Sequence, residues 1–291
     1  MARFRSLVKW GMSNDIDLTA LRAAIDQETR LTERVDPTAV ARFRATFDLE
    51  NSPAEANVVP PLFHFCLCQP VVSTSRLGQD GHPALGSVQP PDALPRRMWA
   101  GGEVTFHHPI GVGQSVTRTT KVTDVRLKKG RSGTLCFVTV HHSLESDDVL
   151  AITERQDIVY RANKSTLRDA RPPAPEGERS RKILVTEPLL FRYSALTFNA
   201  HRIHYDAPYA RDTEGYSGLV VHGPLQATLL CQFASDIGGR PPDVFSFRSL
   251  APILGLGAIS LRAEKRNDDA LKLWTATAEG PIATEATAHW S

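Results

Sequence analysis

The chain is poor in everything that would tie a protein to a membrane, a disulfide framework or a polyanion. No run approaches the roughly 20 consecutive apolar residues that a membrane-spanning helix needs. Cysteine is scarce: the residues at 66, 68, 136 and 231 lie in apolar surroundings, and only one C-x-C pair is close together. That pattern is too thin for a disulfide scaffold and suits reduced thiols in a cytosolic compartment. Neither sign of charge is in excess, since 34 basic residues face 32 acidic ones for a net charge of +2. Such a balance builds no field for nucleic acid, which is excluded as an expected partner. The opening residues MARFRSLVKWG are basic, but Asp15 and Asp17 end that pattern early. A cytoplasmic protein of bacterial type is therefore the expectation, with the mitochondrion as the alternative. With 41% hydrophobic and 23% charged residues over 291 positions, the composition is globular, and the length allows two domains with cores of their own.

What the chain does have is one dense polar passage, inside the stretch Phe191–Ala234. The stretch ends in an apolar helix pattern: Leu225, Leu229, Leu230 and Phe233 recur at helical spacing, with no charge before Asp236. Pro224 occupies the first turn, where a missing N–H costs nothing. Gly223 then presents its N–H at the positive end of the helix dipole, a place suited to a developing oxyanion, although glycine there also permits close packing. Ahead of the helix, F-N-A-H-R-I-H-Y-D brings Asn199, His201, His204 and Asp206 within eight residues. Loops this rich in titratable groups are where acid–base chemistry is done. Two other readings stand beside that one: a solvated turn, and a zinc site built from His201, His204 and His222. The spacing specifies no zinc geometry, and no metal is expected.

The rest of the chain reads as scaffold. Leu18, Leu21 and Ile25 predict an amphipathic helix over 17–30, and Asp36-Pro37 opens a second helix with Val40, Phe43 and Phe47 on one face. Pro60-Pro61 opens LFHFCLC, a further Pro-started apolar helix. Residues 73–102 form a long irregular segment carrying Arg96, Arg97 and Trp99, which make either a solvated patch or a contact for an acidic substrate or a phosphate. Strand patterns follow at 99–106, 115–126, 134–143 and 151–160, then a Pro-rich charged linker at 163–181. The order then repeats, with a strand at 183–193, the polar passage, the helix from Pro224, and strands near 244–250, 256–265, 270–279 and 281–290. This predicts an internal duplication whose two curved sheets meet edge to edge. Only NSPAEANVV precedes the first half's PPLFHF, so the second half should supply the catalytic groups.

These residues resemble the hydratase-2 signature of MaoC-like hotdog proteins, a Gly-Asp-x-Asn-Pro-aliphatic-His run followed by a His-Gly that opens the central helix. Ile203, His204, His222 and Gly223 match that pattern, whereas Asn199 stands in place of the aspartate, His201 of the asparagine and Arg202 of the proline. The variant F-N-x-H-x-I-H-Y-D is closer to mitochondrial-type 3-hydroxyacyl-thioester dehydratases and to mesaconyl-C4-CoA or itaconyl-CoA hydratases. The likeness extends to PPLFHF at 60–65, LGQDGHPALG at 77–86, LPRRMWAGG at 94–102 and QDIVYR at 156–161, nearly the whole chain.

The resemblance implies an α+β double hotdog, two tandem units that each wrap a central helix in an antiparallel β-sheet. Residues 1–162 would be a non-catalytic unit holding the acyl or CoA pocket, 163–181 the linker, and 182–291 the unit with the hydratase motif. The implied reaction is reversible addition of water to an enoyl thioester, most simply a branched dicarboxylic C5 acyl-CoA such as mesaconyl-C4-CoA or itaconyl-CoA. Dehydration of 3-hydroxyacyl chains on CoA or acyl carrier protein is the alternative, and a non-catalytic acyl-CoA-binding protein is a remoter one. His204 would carry the proton, Asn199 would orient the water without deprotonating it, and Asp206 or His201 would supply the missing function. Gly223 would serve the oxyanion, and Arg202, Arg192, His222, Tyr205, Arg96, Arg97 and Trp99 the substrate. No cofactor is implied, since CoA is part of the substrate, and the assembly allowed for is a homodimer.

Overall fold

A short helix α1 (Leu18–Arg22) leads into strand β1 (Glu28–Arg34) and helix α2 (Pro37–Thr46) in the computed structural model, which describes residues 18–49, 56–83, 94, 96–130, 133–162 and 171–291. The helix expected over 17–30 therefore ends early. Asp26 takes a left-handed φ of 66°, which aspartate tolerates, and its N–H donates to the Val122 carbonyl. That turn lays 28–34 along strand β3 instead, where each residue finds a backbone partner, from Glu28 opposite Lys121 to Arg34 opposite Ser115. Helix α2 is as expected: the Asp36 side chain accepts from the Thr38 N–H, Pro37 fills the first turn, and Val40 and Phe43 are buried.

The long strands β3 (Ser115–Gly130), β4 (Gly133–Ser146) and β5 (Val149–Arg161) follow the β-branched runs, whereas β2 (Arg96–Phe106) begins within the segment expected to be irregular over 73–102, drawn into the sheet by pairing with β5 from Arg96 opposite Arg161. The second half repeats the order with β6 (Arg179–Val185), α3 (Glu187–Leu196), α4 (Ala207–Asp212), α5 (Gly223–Gly238), β7 (Val244–Ser249), β8 (Gly257–Asn267), β9 (Ala270–Ala276) and β10 (Thr284–His289). The strand expected over 183–193 is strand only to Val185. Beyond it Thr186 caps α3 by accepting from the Leu189 N–H, and Pro188 favours a helical first turn. Of the linker at 163–181, residues 163–170 lie outside the described residues, and β6 already begins at Arg179. Residues 174 and 175 are held against the second unit, their carbonyls accepting from Arg262 and Trp274.

All pairings are antiparallel, and the strand order β1-β3-β4-β5-β2-β7-β10-β9-β8-β6 makes one ten-stranded sheet. It is two five-stranded sheets of equivalent order, joined where β2 pairs with β7 from Gly101–Arg248 to Thr105–Val244. This is the expected double hotdog. The outer strands β1 and β6 carry Glu28, Arg30, Glu33 and Arg34, and Arg179, Arg181 and Lys182, charges that discourage further strand addition. Among the described residues no helix is long and apolar enough to cross a membrane.

The two units differ at their centres. α5 is buried at every position from Leu225 to Ala234 and packs on β7 to β10. The helix expected from Pro60 is only a single 3-10 turn, Phe63–Cys66. Leu62 and Cys68 on either side of it take φ of 63° and 53°, and Pro70 closes the segment, so no run of helical residues long enough for an α-helix remains. Phe63 and Phe65 are nevertheless buried in the core shared with α5, with Phe63 edge-on to Phe43.

The seam depends on glycine. A Cβ on Gly101 would lie 2.5 Å from the Phe247 carbonyl oxygen, and one on Gly102 2.5 Å from that of Arg155. Gly101→Ala is expected to lower unfolding stability by about 1–3 kcal/mol through overpacking against backbone, read as a lower urea midpoint. An unchanged midpoint would show that the seam can open without cost.

Candidate active site

The polar passage is shaped by how α3 stops. After Leu196 the chain turns through Phe198, at φ 51°, and the Asn199 N–H returns to the Ser194 carbonyl at 2.8 Å. The Asn199 side-chain oxygen then accepts from the His201 N–H at 3.0 Å, closing a turn that asparagine favours. A 3-10 turn, Arg202–His204, aims His204 inward, and Val220–His222 bring the chain back alongside to start α5. The Nδ1–H of His204 donates to the Val220 carbonyl at 2.7 Å. In a neutral ring this leaves Nε2 as the nitrogen with a free lone pair.

The structure brings four imidazoles into one row. His204 and His222 stack face to face with centroids 3.6 Å apart, His201 stands edge-on to His204 at 5.4 Å, and His82 tilts against His201 at 4.2 Å. His222 is fully buried, and its Nε2 is 2.8 Å from the Ser194 hydroxyl. Burial, reinforced by the neighbouring rings, holds the His204 pKa well below that of a free imidazole. The same burial pushes His222 down to about 3 and His82 to about 4, the latter against the opposing pull of Asp80. Parallel stacked rings point their nitrogens past one another, so His204 and His222 do not converge on a common ion with His201.

His82 comes from the first unit, on the turn Gly78–His82. Asp80 accepts from the His82 N–H at 3.0 Å through one carboxylate oxygen and pairs with its Nδ1 at 2.9 Å through the other. The turn is pinned to the polar passage: Arg202 N–H donates to the Asp80 carbonyl at 2.8 Å, and Gly81, at φ 91°, approaches so closely that a Cβ would lie 1.8 Å from the Ala200 oxygen. Only glycine fits there. Asp80, His82 and His201 place metal-competent atoms within 4.8 Å of one another, but Asp80 and His82 already satisfy each other.

Not all expected residues reach this row. Asp206 caps α4 by accepting from the Tyr209 N–H, and its other oxygen takes two bonds from Arg202, at 3.0 and 2.7 Å. Those bonds hold its carboxyl below the usual range, so it is a structural anion on the outer wall, not the partner of His204. Arg202 is likewise engaged, by Asp206, by the Gln79 carbonyl and over the Tyr209 ring at 4.0 Å. Arg192 is exposed on α3, and Tyr205, half exposed, clips the Ala200 carbonyl. From β2, Arg96 donates to the Glu214 carbonyl at 2.6 Å, and its Nε lies 3.8 Å from the Glu214 carboxylate, which in turn lies 3.4 Å from His201 Nε2. Trp99 packs between Phe65 and Phe247, and its carbonyl is 3.9 Å from where a Cβ on Gly223 would lie. Gly223 opens α5, with the buried, unpartnered Ser249 hydroxyl 3.2 Å from that same point.

Sequence reasoning assigned no role to Asp80, His82, Glu214 or Ser249. The first two carried a signal, an Asp-x-His within LGQDGHPALG, whereas nothing in the local sequence marks Glu214 or Ser249.

The depressed histidines make stability depend on pH. Between pH 6.5 and about 4 the unfolded chain takes up protons at His82 and His222 that the folded chain does not. Stability therefore falls as pH falls through that window. Thermal melts should show Tm dropping steadily from pH 7 to pH 4, and His222→Gln should flatten the slope whatever it does to Tm at pH 7. An unaltered slope would mean that His222 is not held neutral.

Comparison with known proteins gives one answer. Residues 62–255 match the family model described as hydroxyacyl-thioester dehydratase type 2. Over 239 residues, 81% of this chain and 85% of the relative, the sequence is 44% identical to a mesaconyl-C(4)-CoA hydratase of Chloroflexus aurantiacus. It is 30% identical to a mitochondrial hydroxyacyl-thioester dehydratase type 2 of Schizosaccharomyces pombe, over 68% of this chain and 75% of that one. The fold superposes on a MaoC-like dehydratase from Phytophthora capsici with a TM-score of 0.70 at 14% identity, covering 95% of this chain and 99% of the other. The chain belongs to the hydroxyacyl-thioester dehydratase type 2 family of MaoC-like double-hotdog hydro-lyases.

Proposed function

We propose that the protein hydrates the double bond of a branched dicarboxylic C5 enoyl-CoA, of the mesaconyl-C4-CoA or itaconyl-CoA kind, reversibly and without a cofactor. The observation that carries the reading is His204: its Nδ1–H is tied to the Val220 carbonyl, and burial keeps the ring neutral with its Nε2 lone pair available. In the hydration direction His204 Nε2 takes a proton from water as the oxygen bonds to the β-carbon. The alkene electrons move toward the thioester oxygen, whose developing charge is met by the Gly223 N–H at the start of α5, with the Ser249 hydroxyl beside it. The imidazolium then returns the proton to the α-carbon, and the net change is one water added. Asn199, held by its bond to the His201 N–H, orients that water, and His201 is the neighbouring polar group.

The dicarboxylic substrate is supported by the mesaconyl-C(4)-CoA hydratase at 44% identity. Dehydration of 3-hydroxyacyl chains is the second reading, favoured by the Schizosaccharomyces pombe relative. The cytoplasm is the proposed compartment, in keeping with four free cysteines, none of them exposed.

The reaction class is tested by incubating the protein with crotonyl-CoA, mesaconyl-C4-CoA and itaconyl-CoA and following enone absorbance against free thiol. Loss of enone without thiol is the expected result; thiol release would make the protein a thioesterase instead. His204→Ala should lower kcat by about 10²–10⁴-fold, and His204→Gln, which keeps more of the side-chain bulk, should do likewise with Tm near wild type. Near wild-type turnover in a folded variant would remove His204 from the mechanism.

A further inference from the structure

Resting on the dicarboxylic reading above, we propose that Arg97, with the His82 edge of the site beside it, is the receptor for the second carboxylate of the acyl group. The argument begins with what surrounds it on β2. Arg96, one residue before, is committed to Glu214, which leads to His201. Trp99, two residues after, brings its carbonyl to the start of α5 at Gly223. Arg97 thus stands on the strand segment that borders the histidine row at one end and the helix N-terminus at the other, and it is close enough to His82 for its charge to oppose protonation of that ring.

Arg97 is half-buried, as are its neighbours on β2, but unlike Arg96 it has no hydrogen-bond or ion-pair partner among the described residues. Two other cations near the site are already engaged, Arg202 by Asp206 and Gln79, and Arg96 by Glu214. A partly desolvated guanidinium left open beside an active site is a standing attraction for an anion. Its planar fork matches a carboxylate in two parallel bonds, which a lysine ammonium does not. Asp80, the carboxylate beside His82, is already engaged twice by that residue. A carboxylate and a CoA phosphate share the chemistry that Arg97 would recognise; the acyl carboxylate is chosen because the segment borders the reacting groups.

The test compares Arg97→Gln and Arg97→Lys with wild type on mesaconyl-C4-CoA, on crotonyl-CoA, which lacks the second carboxylate, and on the crotonyl thioester of N-acetylcysteamine, which lacks CoA. For Arg97→Gln, kcat/KM on mesaconyl-C4-CoA should fall about 10- to 100-fold, as expected for loss of charge-assisted hydrogen bonds, with an intermediate loss for Arg97→Lys. Crotonyl-CoA turnover should stay within about twofold, which also reports that the variants fold. A similar loss on both CoA esters that is absent on the N-acetylcysteamine thioester would assign Arg97 to a CoA phosphate and overturn the proposal. Loss on all three would make it structural, and no loss would leave Arg97 outside the site. Failure of the wild type to hydrate mesaconyl-C4-CoA while it hydrates crotonyl-CoA would reject the dicarboxylic reading instead, independently of the variants.

Discussion

The backbone pairing of β2 with β7 is the constraint on which the site depends. Those five residue pairs turn two sheets into one, and they do so through two glycines whose missing side chains let neighbouring carbonyls approach. Because β2 belongs to the first unit and β7 to the second, the pairing carries Arg96, Arg97 and Trp99 across to the helix start and polar passage of the other half. The turn Gly78–His82 adds a second crossing, fixed by Gly81 against Ala200. The second unit cut away at the linker would lose the contacts that Arg96 and the turn Gly78–His82 make with its polar passage.

Electrostatically the site is built to keep imidazoles neutral. Four rings lie in one row, and burial disfavours charging His204, His222 and His82. That suits a base that must accept a proton and then release it to carbon. In the proposed mechanism this also gives the amide at Asn199 a rationale: an aspartate so close to the row would favour a protonated His204, whereas an amide adds no charge. The carboxylates that are present, Asp80 and Glu214, face His82 and His201 and leave His204 without an anionic partner among its described hydrogen bonds.

The two halves show what duplication preserved. α2 and α3 end alike, with Asp48 and Phe198 both at φ 51° and the next N–H returning five residues back, Leu49 to Arg44 and Asn199 to Ser194. The segments that follow also enter alike, Val58 bridging Gly111 and Val220 bridging Leu254. Two residues beyond those bridges stand Pro60 in one unit and His222 in the other. The first unit has Leu49 and Pro60 where the second has Asn199 and His222, so it keeps the frame without the polar groups.

Much of this was written locally. Alternating Val, Thr and Ile are enough to make β3 to β5 strands, Asp36-Pro37 and Gly223-Pro224 to start helices, and the F-N-A-H-R-I-H-Y-D run to mark the polar passage, because each depends on neighbours a few residues away. Where local preference met a stronger tertiary claim it gave way: residues 28–34 left a helical pattern to cover the edge of β3, and the apolar run after Pro61 became one turn between two left-handed residues and Pro70. The site divided along the same line. His204, His201, Asn199, His222 and Gly223 come together because they are close in sequence or flank α5, whereas Asp206 and Arg202, equally close, turn outward to cap α4 and pair with each other. His82, Asp80, Glu214 and Ser249 were brought to the site by the tertiary structure, since contacts such as Arg202 with Asp80 and Arg96 with Glu214, each across more than a hundred residues, are set by sheet order and backbone approach, not by local sequence.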